Sequence, residues 1–248
     1  MHIHPPKPPH SWSDLLREVG VIVVGILLAL GAEQIIERLH WREQTRIAEE
    51  GIKGELKTSL MNVYERLIVA PCLRGQIRVL GTRLREPGTH WTAAPFKLQG
   101  STIDTELPRV YRAPSRAYTD DVWKNAVSAG VIGHMAVARV AFFSEQYHET
   151  EAMERFQDAE ADAASRLTVL GGDAELSPDA RATLLGNLGD VDYTNSLMVN
   201  IAEDLIINQR NASLHYDKAA VELDRSKLVR YERALRGSCV VDLPLDLG

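Results

Sequence analysis

The sequence predicts an all-α protein, in which an N-terminal transmembrane helix continues into an elongated antiparallel bundle of long, coiled-coil-like helices. Two observations carry this prediction. An apolar stretch runs from Val19 to Ala32 without a charge, and apolar residues then recur at spacings of three and four through much of the chain. The alternating pattern of a β-strand is confined to the short stretch 239–247, which contains Pro244. A chain of 248 residues that is 45% hydrophobic is long enough for one large domain with an appendage.

The composition argues against some classes of partner and of scaffold. The net charge is -6, and the Lys and Arg residues are interleaved with Asp and Glu. Because binding to phosphate backbones needs a basic surface, this pattern argues against a nucleic-acid partner. Two cysteines exclude a disulfide-dense scaffold but leave room for one bridge.

The N-terminus divides into a Pro- and His-rich tail, residues 1–14, and a predicted transmembrane helix, residues 15–36. A membrane-spanning helix needs about 20 apolar residues, so the uncharged stretch must be extended at both ends. The extension includes charged side chains near the ends of the span, which can reach the interface. The bilayer is therefore a predicted partner, and the residues expected to anchor the chain are Val19, Val24, Gly25, Ile26, Leu27, Leu28, Ala29 and Leu30.

Two alternatives to an anchor remain open at this point. The same stretch fits the apolar region of a cleaved signal peptide, with Ala29-Leu30-Gly31 as a rough cleavage site, and it also fits a buried helix of a soluble protein. The helical pattern continues through Ile35, Ile36 and Leu39 without a breaker, which favours an uncleaved anchor. Trp41 is expected at the far interface.

Residues 37–248 form the predicted extramembrane bundle. Its first helix carries apolar residues from Ile52 to Leu67, is expected to be interrupted at Pro71, and resumes until Pro87-Gly88. Residues 87–115 hold four prolines and no helical period. The aromatic residues of this irregular loop make it a candidate binding surface, or else they attach the loop to the bundle: Trp91, Phe96 and Tyr111.

Three further helices are expected. A short one covers residues 118–129, and a long one runs from Met135 to Leu170, closed by Gly171-Gly172. Ser177-Pro178-Asp179 marks the start of a third, with Ser177 as the cap, and its apolar residues continue to about Arg236. This last helix, at nearly sixty residues, would be about 88 Å long.

The anchor carries a resemblance. Glu18-Val19, then Val24-Gly25-Ile26-Leu27-Leu28-Ala29-Leu30, followed by Trp41, resembles the opening of uncharacterised bacterial single-pass membrane proteins. The resemblance covers roughly residues 14–43. It implies an anchored helical domain and transfers no catalytic residue.

Cys72 and Cys239 each follow the expected end of a long helix. If the helices run outward, back and outward again, both cysteines meet at the distal tip, and we expect a disulfide with Cα atoms about 5.5 to 6 Å apart. The alternative is two buried thiols. A bridge favours the periplasmic side of a bacterial inner membrane, although Arg38, Arg42, Arg46 and Lys53 after the span favour a cytoplasmic domain.

Motifs for catalysis are lacking in the sequence, and no cofactor is expected. Two Glu-x-x-His units, Glu37-His40 and Glu145-His148, have the spacing of di-iron bundle proteins, so a metal-dependent enzyme is the sharpest enzymatic alternative. The preferred hypothesis is a non-enzymatic scaffold or interaction module of the bacterial envelope, with a protein partner or a second copy of the chain. Gly25 and Ala29 would let two spans approach closely. The second hypothesis is a periplasmic ligand-sensing domain that signals through a partner protein.

Overall fold

The computed structural model describes residues 12–99, 109–211, 214 and 216–245. The predicted tail up to residue 11 and residues 100–108 of the predicted loop lie outside them, whereas residues 12–14 of that tail are already helical. The all-α prediction is confirmed. The α-helices within the described residues are α1 (Trp12–Arg85), α2 (Asp121–Ser128), α3 (Val137–Ser165), α4 (Pro178–Asn211) and α5 (Lys218–Arg236).

The first helix is unbroken, and the predicted interruption at Pro71 is wrong. Proline removes one backbone hydrogen bond and its ring crowds the preceding turn, at a cost of about 3 kcal/mol in a free helix. Here the flanking residues Ile68, Val69 and Leu73 are fully buried. Packing on both sides of Pro71 therefore holds the helical path, and α1 extends about 110 Å at 1.5 Å per residue.

Contacts along α1 define the direction of its neighbours. Tyr147 of α3 donates to Glu55 and Glu160 accepts from Arg66, so α3 runs parallel to α1. At the start of α4, Arg181 donates to the carbonyl of Leu84. Further along α4, Asn195 accepts from Arg66, so this helix is antiparallel to α1. The expected order of outward, return and outward helices is thus wrong, since α3 runs outward and α4 returns.

The predicted sixty-residue helix is two helices, α4 and α5. Helix α4 ends at Asn211, and Asp217 starts α5, because its side chain accepts from the backbone N–H groups of Ala219 and Ala220 as an N-cap. Lys57 pairs with Asp224 at 2.8 Å, and Val229 lies in the same core cluster as Tyr64, so α5 runs outward along α1. Ser177 caps α4 as predicted, accepting from the N–H of Ala180 at 3.2 Å.

Smaller differences concern the ends of α2 and α3 and a pair of short strands. Helix α2 is shorter than predicted, and α3 ends at Ser165 before a separate 3-10 turn, Thr168–Gly171. Strands β1 (His90–Trp91) and β2 (Ala174–Glu175) pair antiparallel, which the sequence analysis did not predict. This pair attaches the start of the predicted loop to the α3–α4 connection.

The cysteine prediction is confirmed in its pairing. Cys72 and Cys239 form a disulfide with Cα atoms 5.1 Å apart and a sequence separation of 167 residues. The predicted location is wrong, because α1 continues past Cys72 to Arg85, about 20 Å further along its axis. The bridge therefore joins the residues after α5 to the middle of the bundle rather than to its tip.

Among the described residues, the core consists of three apolar clusters along α1. The cluster nearest the span contains Ile52, Leu56 and Phe143, and the middle one contains Val63, Met153 and Met198. The largest cluster is the outermost, where Leu73 and Leu84 pack with Trp91. The core thus begins some way beyond the span.

The N-terminal part of α1 is the one helix in the described residues that is long and apolar enough to cross a membrane. Its apolar window has a mean hydropathy of 2.3, and none of it is buried. All the anchor residues are exposed, and the large side chains among them range from 48% at Val19 to 70% at Leu28. The alternative of a helix buried in the core of this chain is therefore wrong.

Candidate functional site

An extended segment, residues 109–120, runs back along α1 towards the span and builds one wall of the site. Its backbone N–H at Arg112 donates to Gln76, and further along the carbonyl of Ala117 accepts from Asn62. At the start of α2, the N–H of Val122 donates to Glu55. Polar side chains of α1 thus form hydrogen bonds with these backbone N–H and C=O groups, which have no partner in a β-sheet.

A buried network centres on Arg66 of α1. Its guanidinium pairs with the Glu160 carboxylate in a two-pronged arrangement, with Nη1 2.9 Å from Oε2, and donates to Asn195 Oδ1 at 2.9 Å. Tyr111 of the extended segment donates its hydroxyl to Glu160 Oε1 at 2.6 Å. All four residues are buried. The network around this ion pair thereby joins α1, α3, α4 and the extended segment.

Burial determines the protonation state of Tyr111 in this network. Desolvation, reinforced by the Glu160 carboxylate, holds the pKa of Tyr111 well above its ordinary value. The phenol therefore stays protonated and acts as a hydrogen-bond donor. The Glu160 carboxylate is satisfied by the guanidinium and the phenol together.

A second network lies on the other side of the extended segment. Arg116 binds Glu65 with both Nε and Nη2 at 2.6 Å, and Arg236 binds Glu232 at 2.6 Å. Arg236 also donates to the carbonyl of Arg112 at 2.6 Å. Burial raises the pKa of Glu232, with Arg236 opposing the shift and a hydrogen bond between Glu232 and the neighbouring Glu65 adding to it. The segment is thus held by charged groups on α1 and α5.

A cavity of about 420 Å³ lies between the extended segment and α3. Tyr111 and Glu160 line it, so it reaches the network around Arg66. Half of the other lining residues are apolar and half are polar, and the polar ones are Arg109, Ser115, Gln157, Ser165 and Thr168. This volume is within the range of small-molecule sites, and a lining of hydroxyls and an amide suits a small polar ligand.

The aromatic residues of the predicted binding loop lie mostly in the core. Trp91 is 2% exposed, its indole donates to the Leu170 carbonyl at 2.9 Å, and Arg83 lies over its ring. Tyr111 is buried in the network, and Phe96 is half-buried. This placement matches the alternative of the sequence analysis, in which these aromatics attach the loop to the bundle.

Neither Glu-x-x-His unit gathers further ligands. Glu37, His40, Glu145 and His148 are all exposed. Within the part of the chain that the structure describes, no three His, Cys, Asp or Glu side chains converge as a metal site would require. The ring of His40 makes an edge contact with Trp41.

Sequence reasoning missed Arg66, Glu160 and Asn195, yet two of them carried a signal. Glu160 lies between Phe156 and Ala163 in the apolar seam of α3, at a position where the helical spacing calls for an apolar residue. Asn195 occupies the equivalent gap between Val191 and Met198 of α4. A polar residue at a seam position requires a buried partner, and here Glu160 and Asn195 have the same partner, Arg66.

Comparison with known proteins returns no match to a protein family, to a curated protein or to a solved structure.

Proposed function

We propose that this chain is a single-pass protein of the bacterial inner membrane, whose helical domain acts on the periplasmic side as a non-enzymatic scaffold or interaction module. The observation that carries the proposal is the continuity of α1. One unbroken helix contains both the exposed apolar stretch and the centre of the bundle core. A membrane-inserted α1 therefore holds the domain at a fixed height above the bilayer, as a scaffold requires.

The disulfide supports the compartment. Structural disulfides persist in oxidising compartments such as the periplasm and are rare in the cytosol. Cys239 lies on the exposed surface, so cellular reductants can reach the bridge. An exposed bridge of this kind persists only where the surroundings are oxidising. The excess of arginines after the span argues for the opposite orientation, but long domains translocate largely regardless of charge.

Fractionation and protease accessibility test the anchor and its orientation. We expect the full chain to stay with membranes after carbonate washing and to be digested by protease added to spheroplasts. A chain that lacks residues 1–40 is the matched control, and we expect it to be soluble and helical. A mature N-terminus near Ala32, or protection of the domain in intact spheroplasts, would contradict the proposal.

Site-specific photo-crosslinking tests the interaction role. Tyr193 of α4 and Tyr231 of α5 are exposed aromatic residues, at 65% and 53%, and aromatic side chains are enriched at protein interfaces. A photoreactive residue at either position should give a discrete adduct in cells. The exposed neighbour Asp192 is the control position. If neither tyrosine position yields an adduct, the scaffold role is wrong.

The cavity favours a second candidate, a ligand-sensing domain. A ligand that contacts Tyr111 and Glu160 would act on the ion pair that includes Arg66 of α1, the helix that carries the apolar stretch. Ala164 lines the cavity, whereas Ala159 of the same helix does not. A small polar compound that co-purifies with the wild type and with A159F, but not with A164F, would support sensing over scaffolding.

A further inference from the structure

A second pocket, of about 560 Å³, opens beside α1 immediately after the predicted span. It lies between α1 and the 3-10 turn Val131–His134. The side chains that the argument uses are Glu37, Arg38, Trp41, Arg42 and His134. The pocket is far from the network around Arg66, which is some seven turns further along the helix.

Two guanidinium groups in this pocket have no acidic partner among the described residues. Arg38 and Arg42 are four residues apart and so lie on the same face of α1. Neither forms an ion pair with any residue that the structure describes, whereas Arg46, one turn further, is held by Glu43 and Glu50 at 2.6 and 2.8 Å. The formal charges of its two arginines and of Glu37 sum to one positive unit. It is suited to a singly charged anion.

An aromatic wall closes one side of the pocket. The ring of His134 stacks on Trp41, with centroids 3.9 Å apart and an angle of 11° between the planes. The turn that carries His134 is fixed by Val131 and Met135, whose side chains are buried in the innermost core cluster. Gly130 begins the turn with a φ of 73°, a conformation that side chains disfavour. The wall is therefore preformed.

The height of the pocket matches the lipid headgroups. If the span ends at Ile36, Arg38 and Arg42 lie about 3 and 9 Å beyond it along the axis, at 1.5 Å per residue. The headgroup layer adds about 5 to 8 Å on each side of the hydrocarbon, so Arg38 lies within it and Arg42 lies at its outer edge. Tryptophan favours this level, where its ring meets both apolar and polar surroundings.

We propose that this pocket binds the phosphodiester of an anionic phospholipid in the leaflet that faces the bundle. Arg38 and Arg42 donate to the phosphate oxygens, as the planar guanidinium does in many phosphate sites. Trp41 and His134 pack beside the glycerol. The inference rests on the proposed function, because a headgroup reaches these residues only when α1 spans the membrane.

Native mass spectrometry of the full chain in a neutral detergent tests the proposal, with phosphatidylglycerol and phosphatidylcholine added in equal amounts. The test variant is R38Q/R42Q. The matched control is R74Q/R78Q, which removes the same charge at the same spacing from exposed positions of the same helix. We expect the wild type and the control to retain phosphatidylglycerol over phosphatidylcholine, and the test variant to bind phosphatidylglycerol about 10-fold more weakly.

Three results would overturn the proposal. The first is an equal loss of lipid in both double variants, and the second is equal retention of the two lipids by the wild type. The third is displacement of the lipid by glycerol phosphate at the same concentration, which would assign the pocket to a soluble phosphate ester. Carbonate extraction of the same proteins reports on the anchor separately. Release by carbonate would refute both proposals, whereas a retained chain without lipid selectivity refutes this one alone.

Discussion

Arg66 carries a positive charge at the centre of the bundle. Its partners come from the elements that meet there, so the charge is paired. Glu160 supplies the opposite charge, while Asn195 accepts a hydrogen bond from Arg66 and Tyr111 donates one to Glu160. A buried ion pair contributes little net stability relative to apolar residues of the same size. The ion pair instead selects one arrangement of the helices, because they must align for the two charges to meet.

Removing one member of this pair should be costly. Glu160→Gln leaves the guanidinium buried without its counter-charge, and we expect a loss of about 3 to 5 kcal/mol in the free energy of unfolding. Tyr111→Phe removes one hydrogen bond to the carboxylate and should cost about 1 to 3 kcal/mol. Denaturant unfolding followed by circular dichroism measures both. Glu154→Gln, at an exposed position of α3, is the control, and an equal effect there would contradict the interpretation.

Glu149 of α3 makes stability depend on pH near neutrality. Burial, together with the negative charges of Glu145 and Asp204, raises its pKa to about 7, and a hydrogen bond from Asn208 opposes the shift. A carboxyl whose pKa is raised on folding contributes stability below its ordinary pKa of 4.5 that is lost as the pH rises through about 7.

Glu149→Gln should therefore match the wild type at pH 4.5 and exceed its stability at pH 8. The gain should be about 1 kcal/mol, because partial exposure to solvent screens the shift. Thermal unfolding of both proteins across this range tests the expectation. A difference between the two proteins that does not vary with pH would show that Glu149 is not the titrating group.

At the scale of elements, the contact between α1 and α2 depends on a glycine. A Cβ atom at Gly51 would lie 2.8 Å from Val122 Cγ1, whereas Gly54, one turn along the same helix, has nothing within 4 Å. Helix α2 therefore approaches α1 closely only because residue 51 has no side chain.

The two glycines make a matched pair of substitutions. Gly51→Ala should push Val122 away and destabilise the fold by about 1 to 3 kcal/mol. Gly54→Ala should stabilise it by up to about 1 kcal/mol, since alanine is the better helix former. The midpoint of urea unfolding compares them. Equal stabilisation by both substitutions would mean that α2 does not pack as closely as described.

At the scale of the whole molecule, the disulfide ties the C-terminal segment to the middle of α1. It closes a loop of 167 residues in sequence separation. By restricting the unfolded chain, such a bridge stabilises the folded state, and the benefit grows with the length of the loop. Because structural disulfides persist in oxidising compartments, the bridge supports the proposed periplasmic location.

We expect the C72S/C239S variant to lose about 3 to 5 kcal/mol of stability relative to the oxidised wild type. Under reducing conditions the two proteins should unfold at nearly the same denaturant concentration, which serves as the internal control. Titration of the unreduced wild type should detect no free thiol. Two reactive thiols in protein taken from an oxidising compartment would contradict the bridge.

The sequence by itself determined the features that depend on local chemistry. The apolar stretch before Ala32, the cap at Ser177 and the helical class could all be predicted, because periodicity, capping and hydropathy act within one or two turns. The cysteine pairing was predicted as well, but from a helix order that proved wrong. The break before Asp217 was readable from its capping side chain and was missed.

Only the tertiary structure decided the direction of the helices and the composition of the candidate site. Periodicity shows which face of a helix is buried but not which helix covers it. The path of α1 through Pro71 therefore depended on packing around Ile68 and Leu73. Glu160 and Asn195 were visible as polar residues in apolar seams, but their shared partner Arg66 lies far away in the sequence. Their contact with Arg66 therefore depends on how the helices pack. A buried polar side chain needs a partner, and the local sequence does not show which residue that partner is.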